Sequence, residues 1–251
     1  PRNYQALDAN VFGESRTGRN ERGLYIGAEI RPANRWKLTT YFDLYRHPWL
    51  QFDADAPSMG YDMQSRLTYY VKRKITAYLQ VKYEVEEENL RGNETPTDIL
   101  QPYGTFRVRF QFENKLNKGI ELRTRLAWGF AKNGVNIDES GVMLYQDLIF
   151  KPKLSPFSFT TRFAYFDTPS FNVRFYAYEN DILNSFSVPP YYNRGTRFYF
   201  NLRYKGIRNL TLEGRFAQTF WRGEEGFSLS TTEEILGPTR SEVKAQLKWV
   251  F

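Results

Sequence analysis

His47 is the single histidine in a chain of 251 residues, and imidazole is the side chain best suited to taking and returning a proton near neutral pH. Asp43 precedes it by four positions on the same parity of an alternating stretch, and Asp53 and Asp55 follow closely. A histidine oriented by a carboxylate, near a hydroxyl, is an arrangement that hydrolases use. A hydrolase working through His47 is therefore the alternative reading. A lone histidine at the end of a strand is more often an ordinary polar or interfacial residue, so no catalytic residue is assigned.

The acidic stretches Glu84-Val85-Glu86-Glu87-Glu88 and Asp53-Ala54-Asp55 offer oxygen ligands to divalent cations. Neither has the spacing of a calcium-binding loop, and solvated loop charge explains both. No phosphate-cradling glycine loop or zinc pattern is present. The absence of cysteine excludes disulfide frameworks and cysteine metal sites. No metal or cofactor is expected.

The arginines are more informative. Arg107, Arg109, Arg123, Arg125, Arg162, Arg174, Arg197, Arg203 and Arg215 alternate with apolar residues, as in Phe106-Arg107-Val108-Arg109-Phe110, and share their parity with glutamates such as Glu29, Glu84, Glu113, Glu121 and Glu213. Two chemistries fit. Excess arginine lining a passage favours anions, whereas arginines paired with glutamates and tyrosines would fill the space with salt bridges. The net charge of +7 and pI near 9.4 would ordinarily raise nucleic acid as a partner. Spread over one face of a sheet, this charge is not a nucleic-acid patch, and no such partner is expected.

Period-two alternation is the signature of strands that carry these side chains. It runs through Leu24–Arg31, Trp36–Tyr45, Tyr61–Val71, Ile75–Glu86, Phe106–Glu113, Ile120–Phe130, residues 141–151, Phe157–Tyr165 and Phe171–Tyr178. It resumes in Thr196–Lys205, Leu210–Trp221 and Ser241–Phe251. The seventh strand is less regular because Gln146 falls on its apolar face. Residues 179–193 read as one long loop, or as a loop with a short tenth strand at Leu183–Val188 ending at Pro189-Pro190. Short turns at one end and longer loops at the other require that tenth strand, giving about thirteen strands in view. The basic turns at Lys72–Lys74, Lys115–Lys118 and Lys151–Lys153 then share one end, and residues 87–102 lie at the other.

A soluble sandwich would place the charged face in water. Three features favour a membrane barrel instead. The strands run about 10–12 residues, the length of a tilted membrane span. Phe and Tyr, 21 and 18 in number, dominate the apolar face of a chain with a mean hydropathy of −0.61. Trp36 and Trp249 fall near one set of strand ends, and Trp128 and Trp221 near the other, as two interfacial aromatic girdles would. No run is long and apolar enough for a membrane-spanning helix. The expected fold is an all-β, antiparallel transmembrane β-barrel forming one domain over residues 1–251. Unpaired edges are unacceptable in lipid, so the closed barrel is expected to hold 14 or more strands, with this chain the carboxy-terminal part of a longer protein.

Two resemblances add to this. Ser241–Phe251, with Val243, Ala245, Leu247, Trp249 and Phe251 alternating with Glu242, Lys244, Gln246 and Lys248, resembles the closing strand of bacterial outer-membrane barrels. That implies Phe251 is part of the signal read by the barrel-assembly machinery. The segments Tyr4-Gln5-Ala6-Leu7, Asn10-Val11-Phe12-Gly13-Glu14, Tyr176-Ala177-Tyr178-Glu179-Asn180-Asp181 and Ser185-Phe186-Ser187-Val188-Pro189 resemble a Bacteroidota outer-membrane family. Its members join an amino-terminal helix-hairpin-helix region to a carboxy-terminal barrel. The similarity covers nearly all of this chain but only the barrel half, so DNA binding is not carried over.

The expected protein is thus an integral outer-membrane protein of a Gram-negative bacterium, non-enzymatic. It serves as a structural subunit of an outer-membrane complex or as a porin-like passive channel for small polar or anionic solutes. Its expected partners are outer-membrane lipid, lipopolysaccharide, the assembly machinery and other outer-membrane proteins.

Overall fold

The computed structural model describes residues 20–90, 92, 95–133, 137–223, 226–230 and 233–250. Its strands are β1 (Arg22–Ile30), β2 (Trp36–His47), β3 (Ser58–Val71), β4 (Ile75–Asn89), β5 (Leu100–Lys115), β6 (Ile120–Asn133), β7 (Ile137–Phe150), β8 (Phe157–Asp167), β9 (Phe175–Tyr176), β10 (Pro190–Tyr191), β11 (Arg194–Ile207), β12 (Leu210–Trp221), β13 (Gly226–Ser230), β14 (Glu233–Leu236) and β15 (Thr239–Trp249). Eleven of them form one antiparallel sheet in the order β1-β2-β3-β4-β5-β6-β7-β8-β11-β12-β15. The pairs β9–β10 and β13–β14 are separate small hairpins.

Two expected sheet strands are not there. β8 pairs directly with β11, from Asp167 opposite Arg194 to Phe157 opposite Tyr204, so neither 171–178 nor 183–188 lies between them. The sheet has eleven strands where about thirteen are expected. Removing two strands together leaves the direction of every later strand unchanged. The turns at Lys72–Lys74, Lys115–Lys118 and Lys151–Lys153 therefore still share one end of an antiparallel order. Arg73 and Asn209 take positive φ (62° and 63°) where β3–β4 and β11–β12 reverse most tightly.

The two faces invert what a soluble protein shows. On β8, Thr160, Arg162, Ala164 and Phe166 are buried while Phe157, Phe163 and Tyr165 are exposed. On β12, Glu213, Arg215, Ala217 and Thr219 are buried while Leu212, Phe216 and Phe220 are exposed. On β15, Val243 is 76% exposed and Leu247 63%. A large apolar side chain left in water forgoes about 1.5–3 kcal/mol of burial, so row upon row of them indicates a non-aqueous neighbour.

The chain divides into two compact units. In the first, made of the described residues up to Leu67 with Gln80–Arg107 and Phe130–Asp138, β1 pairs with β2 from Arg22 opposite Arg46 to Ile30 opposite Leu38. Its polar face is a ladder of short contacts. Lys82 Nζ lies 2.9 Å from Asp62 Oδ2 and 3.0 Å from Glu84 Oε2, and Gln80 donates to Gln64 at 2.7 Å. Gly60 is required beside Tyr45, since a Cβ there would stand 2.6 Å from the tyrosine ring.

The second unit is made of Thr68–Leu79, Val108–Gly129 and Glu139–Phe251. Its core lies on the polar side of the sheet and is built of Ala127, Met143, Tyr145, Ala164, Phe166, Phe175, Ala177, Tyr191 and Trp221. Three of these, Phe175, Ala177 and Tyr191, come from the connection between β8 and β11.

Candidate functional site

That connection, residues 168–193, is folded onto the polar face as a long hairpin. Thr168 N–H donates to Asn193 O at 2.9 Å and closes its neck. A 3₁₀ turn at Phe171–Val173 is capped by Ser170, whose hydroxyl accepts from Asn172 N–H at 3.1 Å. β9 and β10 then pair antiparallel, and Glu179 N–H donates to Ser187 O at 2.9 Å. At the tip Ser185 N–H donates to Ile182 O at 3.1 Å, and Asn184 takes a φ of 65°. The alternation read as a membrane strand is real: Val173, Phe175 and Ala177 are buried on one side, and Tyr176 and Tyr178 are exposed on the other. The buried side meets β-sheet wall, however, and not lipid.

Gly129 of β6 lets the base of the hairpin seat. A Cβ at this position would lie 3.2 Å from the Phe175 ring. The next two residues on the buried parity, Glu179 and Asp181, carry the charge. Glu179 is 0% exposed. Arg197 of β11 grips it with two parallel hydrogen bonds, Nε to Oε1 at 2.7 Å and Nη2 to Oε2 at 2.9 Å, the bidentate geometry that suits guanidinium and carboxylate. Tyr191 Oη donates to Oε1 at 2.6 Å, and Arg215 of β12 donates to Oε2. Asp181 accepts from Lys244 Nζ of β15 at 2.8 Å and from Ser185 Oγ at 3.1 Å. Arg203 pairs with Glu213 across the β11–β12 hairpin, and Glu213 Oε2 also accepts from Leu183 N–H at 2.7 Å.

Burial alone would push the Glu179 carboxyl up, but the bonds from Arg197 and Tyr191 and the nearby Arg215 charge hold it below the usual carboxylate range. Asp181 behaves alike. Burial raises it, and Lys244, the Ile182 N–H, Arg215 and Ser185 bring it below its ordinary value.

The wall needs these carboxylates. Arg215 and Lys244 are direct cross-strand partners, and like charges directly opposite are destabilising. Arg162 of β8 is paired separately with Asp147 of β7, its cross-strand partner, at 2.5 and 2.7 Å, and lies 3.6 Å over the Tyr145 ring. Among the described residues the cluster holds five cations, Arg162, Arg197, Arg203, Arg215 and Lys244, against five carboxylates, Asp147, Glu179, Asp181, Glu213 and Glu242. A polar cleft of about 220 Å³ remains beside the tip, lined by Lys151, Asn180, Asp181, Asn201, Arg203 and Glu213 among others.

The remaining site residues fall as follows. Arg109, Arg123 and Arg125 lie on the polar parity of β5 and β6; Arg123 Nε is 2.6 Å from Glu121 Oε1 and 3.9 Å from Glu113 Oε1, and Arg125 donates to Gln111 at 2.8 Å. Arg107 has the same parity on β5. Arg174 is not on a sheet strand. It lies in the hairpin, 4.0 Å over the Phe171 ring. Trp36, Trp128 and Trp249 are exposed on the apolar parity, but Trp221 is 5% exposed and donates through Nε1 to Tyr192 O at 3.2 Å. Its parity is that of Glu213 and Arg215, so it belongs to the core and not to a girdle. Phe251 and residues 1–19 lie outside the described residues.

His47 is buried, and its Nδ1 lies 3.0 Å from Asn20 O. A carbonyl only accepts, so Nδ1 carries the hydrogen. Among the described residues Asp43 makes no hydrogen bond to it, and neither does Ser58, which lines the same cleft of about 510 Å³. The acidic stretches serve as local ties: Glu87 Oε2 accepts from Met59 N–H at 2.9 Å, Asp55 Oδ2 from Asp98 N–H at 3.2 Å, and Glu86 from Tyr45 Oη at 2.8 Å.

No protein-family model matches the chain, and no curated protein is similar to it in sequence. Solved structures are similar in fold. The copper transporter OprC matches with a TM-score of 0.51 and 10% identity over 91% of this chain and 41% of its own. The ferric-catecholate import receptor Fiu from E. coli K12 matches with a TM-score of 0.51 and 10% identity over 90% of this chain and 48% of its own. The chain thus spans less than half the length of either. At that identity the likeness shows the fold: an antiparallel transmembrane β-barrel of the outer-membrane kind.

Proposed function

We propose that this chain is an integral outer-membrane protein of a Gram-negative bacterium, non-enzymatic, whose arginine wall is occupied by its own residues 168–193. It serves as a structural subunit of an outer-membrane complex and not as a standing anion channel. The observation that carries this reading is the burial of Glu179 between Arg197 and Arg215. An anion path along this wall requires cations free to meet solute, and here the chain supplies its own counter-charge. The exposed apolar face supports lipid and lipopolysaccharide as neighbours, and the resemblance of segments such as Tyr176–Asp181 supports a Bacteroidota source. The transport activities of OprC and Fiu are not carried over, because fold alone is shared.

The test is electrical. Purified full-length protein in planar bilayers at neutral pH is expected to show no steady conductance, and to fractionate with outer membranes in cells. Large, long-lived, anion-selective steps from the wild-type chain would overturn the closed reading.

A further inference from the structure

Residues 178–188 differ from the base of their hairpin in how they are held. The base is anchored by Val173, Phe175, Ala177 and Tyr191 in an apolar core. The tip is held by Glu179, Asp181, the Asn180 carbonyl and the Leu183 N–H, all through polar contacts with the wall. Two of its aromatic side chains, Tyr178 and Phe186, meet each other at 5.6 Å between ring centroids, and Phe186 is 78% exposed. A segment with few buried apolar contacts is drawn from the low-stability end of a structure.

The wall under the tip has the makings of a binding site. Two guanidinium groups, an ammonium and the Tyr191 hydroxyl converge on carboxylate oxygens, which is how proteins recognise oxyanions. The match with the occupant is also incomplete. Arg215 Nε, on a side chain with no exposure, makes no hydrogen bond. The 220 Å³ polar cleft reaches Asn180 and Asp181 from the side, so solvent already stands next to the contact.

We propose that residues 178–188 are the internal occupant of an oxyanion-recognition site formed by Arg197, Arg215 and Lys244, and that their withdrawal opens this site to a small free carboxylate or phosphate. The inference rests on the closed reading above and adds a ligand class to it. The Asn180 backbone carbonyl accepts from Asn201 Nδ2 of β11 at 2.5 Å, which brings the two positions within reach of a short thiol cross-linker. These 251 residues hold no other cysteine to compete.

Full-length Glu179→Gln/Asp181→Asn protein is expected to conduct in planar bilayers where wild type is silent, with anion preference and a several-fold fall in current on adding inorganic phosphate. Adding Asn180→Cys/Asn201→Cys and joining the thiols with a short cross-linker should return it to silence, and cleaving the linker should restore the current. A folded double variant that stays silent, prefers cations or ignores phosphate would overturn the proposal. For the case where that variant does not fold, Asn201→Cys in an otherwise wild-type chain gives a second readout. Its thiol should label several-fold faster as phosphate is raised than in chloride of equal ionic strength. Equal labelling in both salts would overturn the site. Wild-type current would instead count against the closed reading, whatever phosphate does to the variants.

Discussion

Glu179 and Arg197 share a two-point contact, 2.7 and 2.9 Å, although one sits on a connection and the other on a sheet strand. The pair is therefore a joint between the connection and the wall, reinforced next door where Asn180 N–H donates to Tyr199 Oη and Asn201 Nδ2 donates to Asn180 O. Removing one partner of a buried ion pair costs about 3–5 kcal/mol, because the survivor is left unpaired, whereas apolar replacement of both is often near neutral. Glu179 also holds Arg215 and Tyr191. Glu179→Leu, which strips the carboxylate from two guanidinium groups, should therefore lower the unfolding midpoint in urea further than Arg197→Met, after which Glu179 keeps Arg215 and Tyr191. A loss in Arg197→Met as large as that in Glu179→Leu would show that Arg215 adds nothing to the hold.

Gly129 and Phe175 give a second handle on the same hairpin, through packing. A Cβ on Gly129 already reaches 3.2 Å from the Phe175 ring, tight enough that the ring must move. Gly129→Val, with two further carbons, should expel Phe175 from the core at a cost of roughly 1–3 kcal/mol for overpacking. The expected readout is faster limited proteolysis within 174–190, with the sheet itself still heat-resistant on gels. Unchanged proteolysis would place the seat of the hairpin elsewhere.

The sheet was legible in sequence because period-two alternation reports extended chain with two unlike sides. It does not report which side meets lipid. Val173, Phe175 and Ala177 alternate as well as any lipid-facing strand, so residues 171–178 read as one. The correcting signal was one step further along. Carried on in phase, the apolar side takes in Glu179 and Asp181, which no lipid face tolerates without great cost. Trp221 shows the same confusion, since its place at a strand end suited a girdle while its parity with Glu213 and Arg215 did not. The ion pairs themselves were out of reach. Asp147 opposite Arg162 and Glu213 opposite Arg203 depend on strand register, and a one-residue slip would exchange every partner. At His47 the group that meets Nδ1 is the Asn20 carbonyl, a partner that no spacing in the sequence indicates.

Acid should loosen the hairpin, and the sign can be worked out. Glu179 faces Arg197, Arg215 and Tyr191, and Asp181 faces Arg215, Lys244 and Ser185, with Glu242 also near Arg215 and Lys244. Both carboxyls are held below their ordinary values. A depressed folded pKa gives stability that is complete above the unfolded value, about 4 for these groups, and is lost as pH falls through the folded value. Amide exchange protection over residues 178–188, corrected for intrinsic rate, should be constant from pH 8 to about 5 and decline only below about pH 4. Loss of protection at pH 6 would assign the hold to other groups.

Orientation is the last prediction, and it follows from the turns. Strand direction alternates through the eleven-stranded order, so the reversals between β1 and β2, β3 and β4, β5 and β6, β7 and β8, and β11 and β12 share one end. Three of the five are the basic turns at Lys72–Lys74, Lys115–Lys118 and Lys151–Lys153. The connections 48–57, 90–99, 168–193 and 222–238 belong to the other end. Outer-membrane barrels keep short turns on the periplasmic side and longer loops outside. Proteinase K added to intact cells should therefore cut in the exposed stretch Thr95–Thr97. Trypsin should reach the exposed Lys72, Arg73 and Lys74 only after the outer membrane is breached. The products are distinguishable by mass, since cleavage at 72–74 and at 95–97 leaves carboxy-terminal fragments differing by more than twenty residues. Trypsin cleavage at Lys72–Lys74 in intact cells, with 95–97 protected, would reverse the orientation. It would also turn the mouth of the 168–193 hairpin toward the periplasm, where a solute from outside could not meet it first.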